Sequence, residues 1–142
     1  MRVLGIDYGD RHVGLAVSDP LQITAQPLMT YNLAGEEKDR KFFQELARGH
    51  EVGLVVIGIP VRMDGSPGSR AKKTRDFGTW LERVLGLPVV FWDERLTTRQ
   101  AQGVMRDQKV HLKDKQSVEN QISASIILAG YLESRRDSGS DA

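Results

Sequence analysis

The chain predicts an α/β fold: a five-stranded mixed sheet, led by an antiparallel hairpin and covered by helices on both faces. Three observations carry this. Two short apolar runs, RVLGIDYG and HVGLAVSD, are joined by Gly-Asp-Arg, the spacing of a hairpin. The run VGLVVIGIP is continuous and β-branched, as in a parallel strand buried on both faces. The segments around it carry apolar stripes at helical spacing.

The elements follow in order. Gly9 can supply a positive φ to the hairpin loop. TAQPLMTYN is a weaker third strand, and Pro27 marks it as an edge. EEKDRKFFQELARG reads as a helix with acids in its first turn, an apolar face at Phe42, Phe43, Leu46 and Ala47, and a stop at Gly49. VGLVVIGIP is the fourth strand, and VRMDGSPGS after it is a loop. A helix starts at Ser69. Phe77, Trp80, Leu81, Val84 and Leu85 form its stripe, and Gly86 and Pro88 end it. PVVFWDE is the fifth strand. Thr97 or Thr98 can cap a helix running to about Gln108. Ser117 is the expected cap of the last helix, whose core face is Val118, Ile122, Ile126, Leu128, Ala129 and Leu132. The order is β-β-β-α-β-α-β-α-α, a single domain over 1–136. The tail at 137–142 is expected to be disordered.

Composition narrows the function classes. At 142 residues, roughly two-thirds of the unfolded surface can be buried in one core. There is no cysteine, which excludes disulfides, zinc–thiolate sites and thiol catalysis and fits a reducing compartment. No apolar run approaches the roughly 20 residues of a bilayer span. The N-terminus has no signal-peptide layout, so the expectation is a soluble cytoplasmic protein with no membrane partner. Net charge is +1, unlike the strongly basic nucleic-acid domains. Local charge is less even. Arg62, Arg70, Lys72, Lys73 and Arg75 face a single acid, Asp64, across that stretch. No histidine shows metal-ligand spacing, and no serine sits in a nucleophile-elbow context. The Walker pattern is absent.

Acids at strand positions are the main signal. Asp7 lies inside the first strand, Asp93 and Glu94 end the fifth, and Glu119 and Asn120 begin the last helix. A buried carboxylate is costly unless it is paired or bound to a metal. Each of these residues alone has an ordinary structural explanation: a hydrogen-bonded turn, a surface ion pair, a helix dipole. As an ordered set they point to oxygen ligands for a hard cation, Mg²⁺ or Mn²⁺.

The Asp-x-Gly opening followed by an apolar hairpin resembles two settings. One is the ATPase superfamily of actin and the sugar kinases. The other is the ribonuclease-H-like nucleases. The ATPases need two such domains to clamp a nucleotide, so the length favours the nuclease. The segments GIDYG…GLAVSD (5–19), VIGIPVRMDGSPG (56–68), WDERLTT (92–98) and SASIILAGYL (123–132) together resemble the YqgF family of ribonuclease-H-like proteins. Its members are described as pre-16S ribosomal RNA nucleases and, earlier, as Holliday-junction resolvases.

The resemblance implies metal-dependent phosphodiester hydrolysis, with Asp7 and Glu94 as metal-binding catalytic acids. The family's third acid falls at Asn120, which offers a carbonyl oxygen but no charge. Glu119 sits roughly 100° around the helix and cannot simply replace it. Tyr8, Arg11, Arg62, Ser66, Arg70 and Arg95 are the expected nucleic-acid-binding residues. RNA is the first substrate and branched DNA the second. A junction resolvase would need a dimer, so the state is monomer or homodimer. Two other classes stay open: a nucleic-acid-binding protein that does not cleave, because of Asn120, and a lone ATP-binding domain.

Overall fold

The computed structural model describes residues 1–60, 69–93 and 115–140, with side chains of the last segment described from 119 to 136. The strands are β1 (Arg2–Tyr8), β2 (His12–Ser18), β3 (Ala25–Asn32), β4 (Val52–Ile59) and β5 (Val89–Asp93). The helices are α1 (Glu36–Gly49), α2 (Arg70–Leu85) and α3 (Lys115–Ser140). The sheet order is β3-β2-β1-β4-β5. β1, β2 and β3 pair antiparallel, whereas β1–β4 and β4–β5 pair parallel. This is the mixed, hairpin-led sheet expected, with β3 and its Pro27 at the edge.

Strand alternation divides the core in two. Leu4 and Ile6 of β1 pack with Leu15, Val55 and Ile57 beneath α1 and α2, around Phe43, Phe77 and Leu81. Val3 packs on the other face with Ala16, Val56 and α3. Phe43 binds the first layer together. Its ring meets Tyr31, Phe77 and Trp80 edge-on, at centroid distances of 5.7, 5.8 and 6.3 Å, contacts worth about 0.5–1.5 kcal/mol each beyond area burial.

The second layer depends on absent side chains. A Cβ on Gly5 would lie 2.7 Å from Leu128 Cβ and 3.0 Å from the Ala124 carbonyl oxygen. A Cβ on Gly14 would overlap the carbonyl of Asn120. Glycine at both positions lets α3 lie directly on β1 and β2.

Local signals hold well in α2. The Ser69 side chain accepts from the Lys72 amide at 3.2 Å, and Gly86 closes the helix at φ 66. Other expectations need correction. Gly9 is not among the positive-φ residues. It is needed for space, because a Cβ there would come 2.8 Å from the His12 carbonyl oxygen. α1 ends at Gly49 as expected, and the positive φ of the turn after it is at Glu51, φ 54. α3 begins at Lys115, so Ser117 lies inside it and does not cap it. Lys and Gln are good helix formers and extend the first turn. The backbone of α3 is described as far as Ser140. The loop expected at 61–69 falls mostly outside the described residues, and the helix expected at 97–108 falls wholly outside them. No helix among the described residues is long and apolar enough to cross a membrane.

Candidate functional site

Asp7 stands at the carboxyl end of β1, on the strand face shared with Val3 and Gly5. Its side chain is 15% exposed. It is the Cα partner of Gly14, and the Asn120 backbone rests on Gly14. Residues 7 and 120, distant in sequence, are therefore brought together through Gly14. One turn further along α3, Ser123 lines a cleft of about 280 Å³ with Asp7, Arg70, Ile126 and Ile127. Glu119, by contrast, is exposed.

Arg70 is the first residue of α2. Its Nη2 lies 3.6 Å from Asp7 Oδ1 and donates to the Tyr8 carbonyl oxygen at 3.4 Å. The guanidinium thus straddles the end of β1. It also lines a second cleft of about 240 Å³ with Tyr8, Gly9, Asp10 and Lys73. Lys73 Nζ lies 3.7 Å from Asp10 Oδ1, and Lys72 pairs with Asp76 at 3.0 Å. The first turn of α2 contains no acid. Cations there oppose the helix dipole, so these side chains are held by neighbouring carboxylates.

The other expected residues separate. Tyr8 points away from Asp7's face: its ring stacks on Phe77 at 4.5 Å and 27°. Burial, then the charges of Asp10 and Asp76, raise its phenol pKa. One face of that ring is occupied within the protein. Arg11 is exposed in the hairpin loop, its carbonyl accepting from the Leu33 amide. Glu94, Arg95, Arg62 and Ser66 lie outside the described residues. Asp93, immediately before Glu94, ends β5 opposite Ile59 of β4. The carboxyl ends of the parallel strands β1, β4 and β5 share one edge, where ligands of open α/β sheets collect.

Three polar residues of the clefts were not singled out as site residues from sequence: Ser123, three residues after Asn120 and so on the same helix side, Lys73, in the basic run of α2, and its partner Asp10. The metal-ligating atoms that line the Asp7 cleft are oxygens: a carboxylate and a serine hydroxyl. This chemistry suits Mg²⁺ or Mn²⁺ rather than zinc. No three His, Cys, Asp or Glu converge among the described residues.

Comparison with known proteins places the chain in a family. The family model described as "RuvX: Holliday junction resolvase" matches residues 1–134. A protein of Halothermothrix orenii named "Putative pre-16S rRNA nuclease" is 44% identical over 132 residues, covering 93% of this chain and 94% of its own. One of the same name from Acetivibrio thermocellus is 44% identical over 137 residues, covering 95% and 97%. Among solved structures, T. thermophilus RuvC in complex with Holliday junction substrate superposes with a TM-score of 0.63 at 14% identity, covering 97% of both chains. The fowlpox virus Holliday junction resolvase gives 0.53 at 15% identity, covering 94% and 99%. At those identities the two structures speak to the fold alone.

Proposed function

The chain belongs to the RuvX (YqgF) family, and from that premise we propose that it is a divalent-cation-dependent nuclease acting on RNA. The observation that carries this is Asp7: a mostly buried carboxylate at a strand end, in a cleft walled by α3 and by Arg70. Such a charge is costly without a cationic partner. In this reading Asp7 and Glu94 hold the cation, and Asn120 adds a neutral oxygen. A cation bound there supplies Lewis acidity to the phosphoryl centre and its attacking water.

The chain's own residues do the rest. Asp7 is fixed by β-pairing with Gly14, so its carboxylate is positioned before substrate arrives. Arg70 lines both clefts and Lys73 the second, and guanidinium and ammonium groups attract and register phosphates. Arg11, Arg62, Ser66 and Arg95 extend that surface in the same reading. Tyr8 contributes an edge and a hydroxyl more readily than a free stacking face.

RNA ranks first because the curated relatives are named for pre-16S rRNA. Processing of that RNA belongs to the cytoplasm. Junction resolution ranks second, on the family description. A binding protein without turnover remains as the reading that Asn120 favours. The test offers end-labelled single-stranded RNA and a four-way DNA junction side by side, with Mg²⁺ and with Mn²⁺, and D7N as control. Cleavage lost in D7N supports the nuclease, and the preferred substrate ranks the two readings. Binding without cleavage of either overturns it.

A further inference from the structure

We propose that Arg70 is an exchangeable counter-ion: it neutralises Asp7 in the cation-free protein and turns to substrate phosphate once a cation binds. The inference rests on the metal-site reading of Asp7 above and concerns a coupling which that reading does not contain.

Three features of Arg70 carry it. It is the shared wall of both clefts, facing Asp7 and Ser123 on one side and Tyr8, Gly9, Asp10 and Lys73 on the other. Its Nη2 reaches groups of two successive residues, Asp7 Oδ1 at 3.6 Å and the Tyr8 carbonyl oxygen at 3.4 Å. Both contacts are long for charge-assisted hydrogen bonds, which prefer roughly 2.7–2.9 Å. The side chain is also 61% exposed, so it can re-aim without disturbing the core.

Position adds to this. Arg70 opens a helix whose first turn contains no acid, where a cation is disfavoured by the dipole. An arginine there needs an anion nearby. Asp7 is that anion when no cation is present. A divalent cation on Asp7 cancels its charge and repels the guanidinium. The second cleft then offers Arg70 beside Lys73, whose long 3.7 Å contact with the exposed Asp10 leaves the ammonium able to join the guanidinium on a phosphate, which guanidinium binds bidentately.

Linkage follows. If cation binding releases Arg70 for phosphate, phosphate binding must in turn strengthen cation binding by the same factor. Arg70 is thus a positioning residue that makes metal and nucleic acid bind cooperatively.

The experiment is calorimetric titration of Mn²⁺ into the full chain, with and without a nuclease-resistant 2′-O-methyl single-stranded oligoribonucleotide. Wild type, R70Q, R70K and D7N are compared. R70Q alone is expected to bind Mn²⁺ about two- to fivefold more tightly than wild type, the factor an exposed ion pair carries. The oligonucleotide should strengthen Mn²⁺ binding in wild type and do so less in R70Q, and R70K should restore the weaker Mn²⁺ affinity. Equal or weaker Mn²⁺ binding by R70Q, or undiminished coupling, overturns the proposal. D7N separates the two failures. If D7N binds Mn²⁺ like wild type, the metal-site reading falls and the Arg70 proposal with it. If D7N loses Mn²⁺ and R70Q is neutral, the Arg70 proposal alone falls.

Discussion

Replacing Gly14 with alanine tests the placement of α3, on which the site depends. The new Cβ would overlap the Asn120 carbonyl oxygen and come 2.5 Å from its carbonyl carbon. Carbon atoms in good contact lie roughly 3.5 Å apart, so strand or helix must shift by about 1 Å. The obstacle is backbone, and no rotamer change relieves it. The shift also disturbs the contact one turn on, where Gly5 meets Ala124 and Leu128. Overpacking of this kind costs about 1–3 kcal/mol, and the rigid obstacle places G14A near 3 kcal/mol. At roughly 4 °C per kcal/mol for a chain of this size, the melting temperature falls by about 12 °C. Thermal unfolding followed by circular dichroism reads this. G49A is the control, because a Cβ at Gly49 meets nothing within 4 Å. It ends a helix outside the positive-φ region, so alanine there should be neutral or stabilising by up to about 1 kcal/mol. G14A should also lower cleavage, since Gly14 is Asp7's pairing partner. If G14A melts with wild type while G49A behaves as expected, α3 does not rest on β2 at Asn120. The juxtaposition of Asn120 with Asp7 then fails.

Two further outcomes are expected. D7N should abolish cleavage while melting within about 2 kcal/mol of wild type, because it removes a mostly buried charge at near-constant shape; retained cleavage would remove Asp7 from the mechanism. Burial, then the hydrogen bond to Asp39 and that residue's charge, push the Tyr31 hydroxyl up to about 12 from 10.0. The folded pKa exceeds the unfolded one, so this group's stabilisation is complete below pH 10 and is lost as pH rises towards about 12. Urea unfolding across that window should show the loss in wild type and a smaller slope in Y31F, and equal slopes would contradict it. Y31F should be weaker at neutral pH by about 1.5–3 kcal/mol, the range for a hydrogen bond to a charged group.

Periodicity and caps were enough to find α1 at 36–49, β4 at 52–59 and the Ser69 and Gly86 ends of α2, because each is decided by local chemistry. What was not legible is what two distant segments decide together. Asp7 and Arg70 were both named from sequence, but their pairing needs β1 and the start of α2 at one sheet edge. Ile127, Ala124 and Tyr131 are buried beyond the expected stripe of α3, because the glycines of β1 and β2 let the helix settle flat on the sheet. Gly9 illustrates the same limit, since a glycine kept for space looks identical in sequence to one kept for φ. Tyr8 was more readable than it looked. It alternates with Leu4 and Ile6, so its ring belongs with the α2 layer, and the stack on Phe77 follows.

Charge then decides how many cations the proposed site holds. Asp7 and Glu94 bring two negative charges, enough to neutralise one divalent ion. Asn120 adds an oxygen and no charge. A second ion would meet no further carboxylate in that set. One Mg²⁺ or Mn²⁺ per chain is therefore expected without nucleic acid. N120D restores a third negative charge beside Gly14 and its partner Asp7. Attraction between a unit charge and a divalent ion about 4 Å away is about 2 kcal/mol even at the dielectric of water, so Mg²⁺ binding tightens by roughly 30-fold or more. It should raise cleavage and admit a second ion at millimolar Mg²⁺. Calorimetric stoichiometry and affinity measure both. Two ions bound by wild type would refute the charge argument, and equal affinity in the two forms would remove position 120 from the ligand set.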